Sequence, residues 1–252
     1  MRLTVVGNSG SYPGPHSSAS CYLLEADYDE RTWRVLLDLG NGALGALQRY
    51  ADPLAVDAVL LSHLHADHCL DLCGYYVLRK YHPDGPQPRI PVWGPEGTAS
   101  RMARAYDLPE TPGMTEEFDF RTYPGGSFSL GPFTFLARRV NHPVTAYALR
   151  ISVDDAVLVY SGDTAYCEPL VTQADGADVF LCEASFLDEA DNPPDIHLTG
   201  LEAGAIATTA GARQLLLTHI PPWHDPAVVL GEAKESFVGD VRLAEVGTTY
   251  EV

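Results

Sequence analysis

Short apolar runs, separated by polar turns, recur along the whole chain. Residues 1–40 have the pattern of paired β-strands. Further apolar runs of strand length lie at residues 56–62, 133–140, 156–160, 180–186 and 215–218. Helices are predicted from about residue 43 to 50 and from Thr199, which forms a capping box with Glu202, to about Gly211. The pattern therefore predicts a mixed α and β fold.

The composition agrees with a single domain over residues 1–252. Hydrophobic residues make up 46% of the chain, which is enough to bury a sizeable core. The N-terminus has a short strand pattern rather than that of a signal peptide, and no run approaches the roughly 18 apolar residues of a membrane span. The five cysteines are scattered among apolar neighbours and are predicted to be reduced. We therefore expect a cytoplasmic protein that does not contact a membrane.

The densest cluster of chemically active residues lies where the run 56–62 ends. Three imidazoles and a carboxylate follow within six residues, as His63, His65, Asp67 and His68. A strand that ends here directs His63 and His65 to one side, because side chains alternate along a strand. Neutral imidazole and carboxylate are ligands that suit zinc and its neighbours. This run predicts a metal site, and a polar loop with exposed histidines is the weaker alternative.

Three other predicted strands each deliver one ligand-type residue at their end. His142, Asp163 and His219 occupy these positions, where folds of this kind place their chemistry. Asp163 is placed to bridge two metals. The predicted ligands of the first metal are His63, His65 and His142, and those of the second are Asp67, His68 and His219. Cys69 and Cys73, one helical turn apart, are a less favoured alternative, since nitrogen and oxygen ligands already fill both sites.

These motifs resemble those of the metallo-β-lactamase superfamily of dinuclear hydrolases. The match is His-x-His-x-Asp-His, then His142, Asp163 within Ser-Gly-Asp-Thr and His219 within Leu-Thr-His, over nearly the whole chain. The resemblance implies an α+β fold, a four-layer αββα sandwich with two divalent metal ions at one edge of its sheets. Zn²⁺ is expected, and Mn²⁺ or Fe²⁺ fits the same ligands. True β-lactamases have Cys in place of Asp163, so antibiotic hydrolysis is not expected.

Glu183 and His197 add a feature of the ribonuclease Z-like branch of this superfamily. That branch has a His-x-Ser/Thr motif and a Glu after the corresponding strand, and here a predicted strand ends near Glu183 while His197 precedes Leu198 and Thr199. The resemblance implies that His197 contacts the scissile phosphate or protonates the leaving oxygen, and that Glu183 orients it. Asp67 is expected to take part in catalysis as well as in metal binding. A structural role for His197 is the alternative.

Two features argue against a long nucleic acid as substrate. Ribonuclease Z carries a long basic arm between its third ligand block and the bridging aspartate, but here Asp163 follows His142 by only 21 positions. The net charge is −18, and the sixteen Lys and Arg residues form only short clusters, which leaves no basic track for a phosphate backbone. A small-molecule phosphodiester, held chiefly by metal, is compatible with both features.

The chain most resembles an actinobacterial group of cyclic-nucleotide phosphodiesterases of this fold, which lack the arm. The motifs that carry this resemblance are Ser-Tyr-Pro-Gly-Pro, Tyr-Ser-Gly-Asp-Thr, Cys-Glu-Ala-Ser and Leu-Leu-Leu-Thr-His-Ile-Pro-Pro-Trp. It implies hydrolysis of 3′,5′-cyclic AMP or a related cyclic nucleotide by a hydroxide shared between two metals. A ribonuclease Z-like nuclease and a carbon-ester hydrolase, such as a thioesterase or lactonase, are the alternatives. The oligomeric state is left open, and a homodimer is compatible with the sequence.

Four further features are expected around the metals. His16, in a Gly-, Ser- and Pro-rich loop, and Trp223, after two prolines, are candidate substrate contacts. Asp38 is predicted either to hold a ligand histidine through a hydrogen bond or to cap the helix that follows. Residues 82–128, which are rich in Pro and Gly, are expected to pack over the metal edge and to shape specificity.

Overall fold

Fifteen strands form two mixed sheets in the computed structural model, which describes residues 1–252. The strands are β1 (Arg2–Ser9), β2 (Ser18–Ala19), β3 (Cys21–Tyr28), β4 (Arg31–Leu37), β5 (Ala58–Leu60), β6 (Ile90–Gly94), β7 (Phe118–Thr122), β8 (Phe128–Leu130), β9 (Phe133–Arg139), β10 (Tyr147–Val153), β11 (Ala156–Tyr160), β12 (Val179–Glu183), β13 (Gln214–Thr218), β14 (Asp240–Leu243) and β15 (Thr249–Glu251). Sheet I has the order β15-β1-β3-β4-β5-β6-β7, with β2 beside β1, and sheet II has the order β14-β13-β12-β11-β10-β9-β8.

Seven α-helices cover the outer faces of the sheets. They are α1 (Ala43–Leu47), α2 (Ala66–Cys69), α3 (Leu72–Lys80), α4 (Thr98–Ala105), α5 (Glu168–Ala174), α6 (Gly200–Ala210) and α7 (Pro226–Ser236), with one 3₁₀ turn at Pro53–Ala55. Helix α6 begins at the predicted place, since the Thr199 hydroxyl accepts the Glu202 N–H and the Glu202 carboxylate accepts the Thr199 N–H. None of the helices has the length and apolar character that crossing a membrane requires.

Three buried apolar layers hold the molecule together. One layer lies between the two sheets, where Leu60 of sheet I and Leu181 of sheet II belong to the same cluster. A second layer joins sheet I to its helices through residues such as Val59, and a third joins sheet II to its helices through Phe180. Strands buried on both faces explain why the sequence shows continuous apolar runs rather than strict alternation. The predicted α+β fold with four layers, αββα, is confirmed.

Residues 82–128 are more regular than the sequence pattern predicts. Strands β6 and β7 extend sheet I by two parallel strands, and α4 lies between them in the chain. The apolar side chains of Val92, Met102 and Phe118 enter the buried layer on the helix side of sheet I. The expectation that this segment packs over the metal edge was therefore wrong for most of its length, because Pro and Gly at its turns obscured two short strands.

The topology brings several strand ends to one edge of the molecule. Strands β11, β12 and β13 run parallel to one another, so the residues after them meet at a single edge of sheet II. Strands β4 and β5 are parallel in sheet I, and the Tyr147 N–H donates to the Ser62 carbonyl across to sheet II. Polar residues that follow these five strands therefore lie close together.

Candidate metal centre

Two groups of potential metal ligands converge at this edge. We call His63, His65 and His142 site A, and Asp67, His68 and His219 site B, with Asp163 common to both. The ligand atoms of each group, including Asp163, lie within 4.8 Å of one another. The structure thus brings together all seven residues that the sequence analysis proposed as ligands, in the same two sets.

In site A, three imidazole nitrogens face a common point. The His65 Nδ1 atom lies 3.0 Å from His63 Nε2 and 3.2 Å from His142 Nε2. Nitrogens bound at about 2.0–2.1 Å to a tetrahedral zinc ion would be about 3.3 Å apart, so the observed spacing is close to that of a zinc site. Burial lowers the pKa of all three rings. Low pKa values favour the neutral imidazole, which is the form that binds metal.

Site B is buried almost completely. The Nε2 atoms of His68 and His219 each lie 3.2 Å from Asp163 Oδ2, and they lie 3.5 Å and 3.7 Å from Asp67 Oδ2. Both Nε2 atoms and Asp163 Oδ1 are buried without a hydrogen-bond partner. Because unpaired buried polar atoms are costly, this arrangement is best explained by cations that these atoms bind. The donor set of the two sites fits two divalent ions, with Zn²⁺ favoured and Mn²⁺ or Fe²⁺ compatible.

The shifted pKa values of Asp163 and His68 support the interpretation that this centre binds cations. Burial opposes the ionisation of Asp163, but His219, His68 and His63 hold the pKa of its carboxyl well below the usual range. Burial likewise disfavours the charged form of His68, yet the Asp163 and Asp38 carboxylates raise its pKa well above the ordinary value. The buried carboxylates therefore attract positive charge to the centre, and a divalent cation would take the place of the proton.

Asp38 holds the His68 ring from behind. Its Oδ2 atom accepts hydrogen bonds from His68 Nδ1 at 2.7 Å, from the Ser62 hydroxyl at 2.7 Å and from the Tyr160 hydroxyl at 2.7 Å, and Oδ1 accepts the Ser62 N–H at 2.6 Å. Asp38 is fully buried, and its φ of +59° is unusual for a residue other than glycine. Helix α1 has Gly42 as its N-cap, with no side-chain cap. Of the two roles considered for Asp38, the structure shows the contact with a ligand histidine.

The Gly-rich loop near the N-terminus supports His219. The His219 backbone has a φ of +57°, its Nδ1 lies 2.9 Å from the Ser20 hydroxyl, and its carbonyl accepts the Ser185 hydroxyl at 2.7 Å. A Cβ atom on Gly10 would lie 2.2 Å from the His219 carbonyl oxygen, so only glycine permits this approach. The loop thus packs against the backbone of a ligand residue.

Buried Glu183 and partly buried His197 form a hydrogen-bonded pair beside the ligands. The His197 Nδ1 atom donates to Glu183 Oε1 at 2.9 Å, and the same carboxylate accepts the backbone N–H groups of Thr164, Ser185 and Leu198. Burial lowers the pKa of His197, but the Glu183 carboxylate outweighs this and raises it to about 9. His197 therefore carries a proton at neutral pH in the ion-free site. Glu183, held by four donors, fixes the orientation of the ring.

His197 lies between the two sites. Its ring centroid is 5.5 Å from that of His142 in site A and 5.7 Å from that of His219 in site B. The preceding residue, Ile196, accepts the His142 Nδ1–H through its carbonyl at 2.9 Å. One short segment therefore orients a ligand of site A and places an acidic proton next to both sites.

The remaining predicted residues lie outside the ligand groups. His16 is exposed and lines two open cavities that include none of the seven ligands. Trp223 is 59% exposed, and its ring centroid lies 5.4 Å from that of Tyr12. Both residues stay predictions as substrate contacts. Cys69 is buried in an apolar layer, where burial raises the pKa of its thiol to about 12, so it is not placed as a ligand.

Three residues that support the ligands were not identified from the sequence. Ser62 directly precedes His63, and Tyr160 ends the strand before Asp163, so adjacency to a ligand would have been a usable signal for both. Ser20 gives no such signal, because it is 199 positions from His219, whose ring it contacts. Only the folded topology brings Ser20 to the site.

Comparisons with known proteins agree with this centre. A sequence profile for the Beta-lactamase superfamily domain matches residues 33–220. The Mycobacterium tuberculosis protein Rv1339 is 48% identical, with 100% of this chain and 92% of that protein covered. YhfI of Bacillus subtilis, named as a metallo-hydrolase, is 31% identical over the full length of both chains. A ribonuclease Z of Myxococcus xanthus is 29% identical, with 100% of this chain and 98% of that protein covered.

Solved structures show the same architecture. The crystal structure of the metallo-beta-lactamase fold protein YhfI from Bacillus subtilis superposes with a TM-score of 0.87 at 30% identity, covering 100% of this chain and 99% of that one. A diphosphatase of the PhnP family superposes with a TM-score of 0.75 at 20% identity, covering 100% and 97%. The second likeness supports the fold alone.

Proposed function

This chain belongs to the beta-lactamase superfamily of metal-dependent hydrolases, and we propose that it hydrolyses 3′,5′-cyclic AMP or a related small cyclic nucleotide to the 5′-monophosphate. The observation that carries the proposal is the Glu183–His197 pair, whose ligand-type atoms lie within 4.8 Å of those of Asp163. A ribose alkoxide is a poor leaving group, so its departure requires a proton. The pair places an imidazole, oriented by a carboxylate, beside the ligands, where it is suited to donate that proton.

The residues divide the work of such a reaction. When bound at sites A and B, two divalent ions would withdraw charge from a phosphoryl group and lower the pKa of a water molecule. Glu183 occupies Nδ1 of His197, which leaves Nε2 as the second donor of the protonated ring. This donor is suited to protonate the 3′ oxygen while the phosphorus–oxygen bond breaks. General acid catalysis of this kind contributes typically about 10²–10⁴-fold to the rate.

The size and charge of the protein favour a small substrate. Strands β10 and β11 form a tight antiparallel hairpin that uses most of the positions between His142 and Asp163. No segment remains there for a nucleic-acid-binding arm, and the net charge of −18 disfavours a long polyanion. The relationship to ribonuclease Z makes RNA cleavage the second candidate. A thioesterase or lactonase is the third, and of these two only the thioesterase, whose thiolate leaves readily, would not need the protonated His197.

A substrate panel tests the proposal directly. The zinc- or manganese-loaded protein is assayed with cyclic AMP, cyclic GMP, an aryl phosphodiester, precursor tRNA, a thioester and a lactone. We expect turnover of at least one cyclic nucleotide and of the aryl diester, with kcat/KM for precursor tRNA far lower. A preference for precursor tRNA would replace the proposal by RNA processing, and a preference for the thioester or lactone would reject phosphodiester chemistry.

Replacing His197 separates catalysis from scaffolding. His197→Ala should lower kcat for the cyclic nucleotide by about 10²-fold, which is the scale of a lost general acid, with metal content unchanged. The loss should be smaller for the aryl diester, because a phenolate leaves without a proton. His82→Ala, at a histidine outside the metal centre, is the matched control. An equal loss on both substrates would assign His197 to phosphate binding, and no loss on either would assign it to structure.

A further inference from the structure

A second concave site lies at the opposite edge of sheet I. An open cavity of about 680 Å³ is lined by residues at the beginning of β4, just before β5 and at the beginning of β6. The metal centre follows the other end of these parallel strands. Strand β4 runs for seven residues from Arg31 to Leu37, so its two ends are about 20 Å apart. The cavity is therefore separate from the metal centre.

The lining of this cavity is basic, although the protein is strongly acidic. It includes Arg31, Arg34, Arg79 and Arg89, with Asp57 as the one acidic residue. Four of the sixteen basic residues of the chain thus line one cavity. This concentration of guanidinium groups contrasts with the net charge of −18 of the whole chain.

Arg79 lies inside this cavity wall without a carboxylate partner. Arg79 is 2% exposed. Its Nη1 donates to the Tyr75 hydroxyl at 3.3 Å, and its Nη2 donates to the Pro88 carbonyl. Its Nε is buried with no hydrogen-bond partner. The other three arginines each form an ion pair, with Asp57, Glu25 and Asp119. Arg79 therefore has no ion-pair partner within the chain. A buried charge without such a partner is costly.

We propose that this cavity binds a small anion that carries a phosphate group, at a site separate from the metal centre. Guanidinium groups match phosphate oxygens through paired N–H donors and stay charged at every physiological pH. The four arginines and their three carboxylate partners leave one positive charge without a partner, that of Arg79, which suits a small anion. Leu54 and Ile90 add apolar wall beside the charges, so the ligand can carry an apolar body next to its phosphate.

The number of phosphate ions that the metal-loaded protein binds per chain tests the site. Inorganic phosphate is titrated calorimetrically into the parent protein and into the double variant Arg31→Gln/Arg89→Gln, whose residues are partly exposed and can be replaced without opening the core. The double variant should bind one phosphate fewer per chain. Each single variant should weaken this binding by about tenfold, as expected for a lost charged hydrogen bond. Arg104→Gln is the matched control, because Arg104 lies on α4 and forms an exposed ion pair with Glu110. This variant should bind phosphate like the parent.

The variant Arg79→Met provides an independent test of the site. Methionine keeps much of the buried volume and removes the charge, so the midpoint of thermal unfolding should stay the same or rise, while one phosphate per chain is lost. Equal phosphate stoichiometry in the parent, the double variant and Arg79→Met would overturn the proposal. A fall in the unfolding midpoint of Arg79→Met, together with unchanged phosphate binding in the double variant, would also overturn it and assign Arg79 to packing.

Discussion

Sites A and B use the same kinds of ligand but are held in different ways. In site B, His68 is fully buried and is bonded to the Asp38 carboxylate. In site A, His142 is half-buried and is bonded to the neutral carbonyl of Ile196, while the His63 Nδ1 lies 3.1 Å from the Ser62 hydroxyl. A carboxylate behind an imidazole makes the ring a stronger ligand than a neutral acceptor does. The comparison indicates that site B is the tighter of the two sites.

The same difference suggests a division of labour. Site B lies beneath the strand ends with its ligands out of solvent, whereas His65 and His142 of site A reach the surface. Ile196 orients His142 and adjoins His197, so site A shares a segment with the proposed general acid. We therefore expect an ion in site B to be held firmly, and an ion in site A to be the more exchangeable partner that faces incoming substrate.

The largest effect is expected from the residue that the two sites share. Asp163→Ala removes a ligand of both ions, so metal content should fall below one ion per chain and kcat/KM should drop by at least about 10³-fold, or about 4 kcal/mol. Mass spectrometry measures the metal content, and steady-state kinetics measure kcat/KM. Asp191→Ala, at an exposed aspartate, is the control. Full activity with a single ion in Asp163→Ala would reject the two-metal centre.

A change behind His68 should weaken only site B. Asp38→Asn keeps the shape of the side chain but removes the charge that orients His68, so the affinity of site B should fall by about 10–100-fold. Titration of the metal-free protein with zinc, followed calorimetrically, measures the two affinities. Tyr160→Phe removes one hydrogen bond to Asp38 without touching His68 and should have a smaller effect. Equal weakening of both sites by Asp38→Asn would remove the distinction between them.

Metal removal tests the order of affinities in the unmodified protein. During dialysis against a chelator, one ion per chain should leave at least about tenfold faster than the other, because site A lacks the supporting carboxylate of site B. Activity should be lost with the first ion. Samples taken over time for metal analysis and for activity give both rates. Loss of both ions at one rate would show that the two sites are equally held.

The sequence was sufficient to propose the ligands and Asp38 behind one of them, but not the hydroxyl groups that support the other ligands. His63 and His65 stand in a dense motif, and His142 and Asp163 follow apolar runs, so local pattern was enough to propose them. The hydroxyl of Ser20 reaches His219 through pairing between distant parts of the chain, which no local pattern reveals.

A similar limit applies to the fold and to the second cavity. The strands of residues 82–128 were missed because they are short and have Pro and Gly at their turns, so their periodicity is weak. Arg31, Arg79 and Arg89 are scattered in the sequence, and they meet only because β4, α3 and β6 are neighbours in the fold. The sequence showed only short basic clusters and no track for a phosphate backbone.

The smallest expected effect tests whether the substrate base lies on the site B side, over Trp223. Trp223 follows the site B ligand His219 by four positions, and its ring is 59% exposed beside Tyr12. If the base of the nucleotide stacks on this ring, Trp223→Ala should raise KM for the cyclic nucleotide by about fivefold with kcat nearly unchanged, as expected for about 1 kcal/mol of stacking. The aryl diester should respond less, and Tyr81→Ala, at an exposed aromatic ring elsewhere, should change neither substrate. An unchanged KM would show that the base does not stack on Trp223.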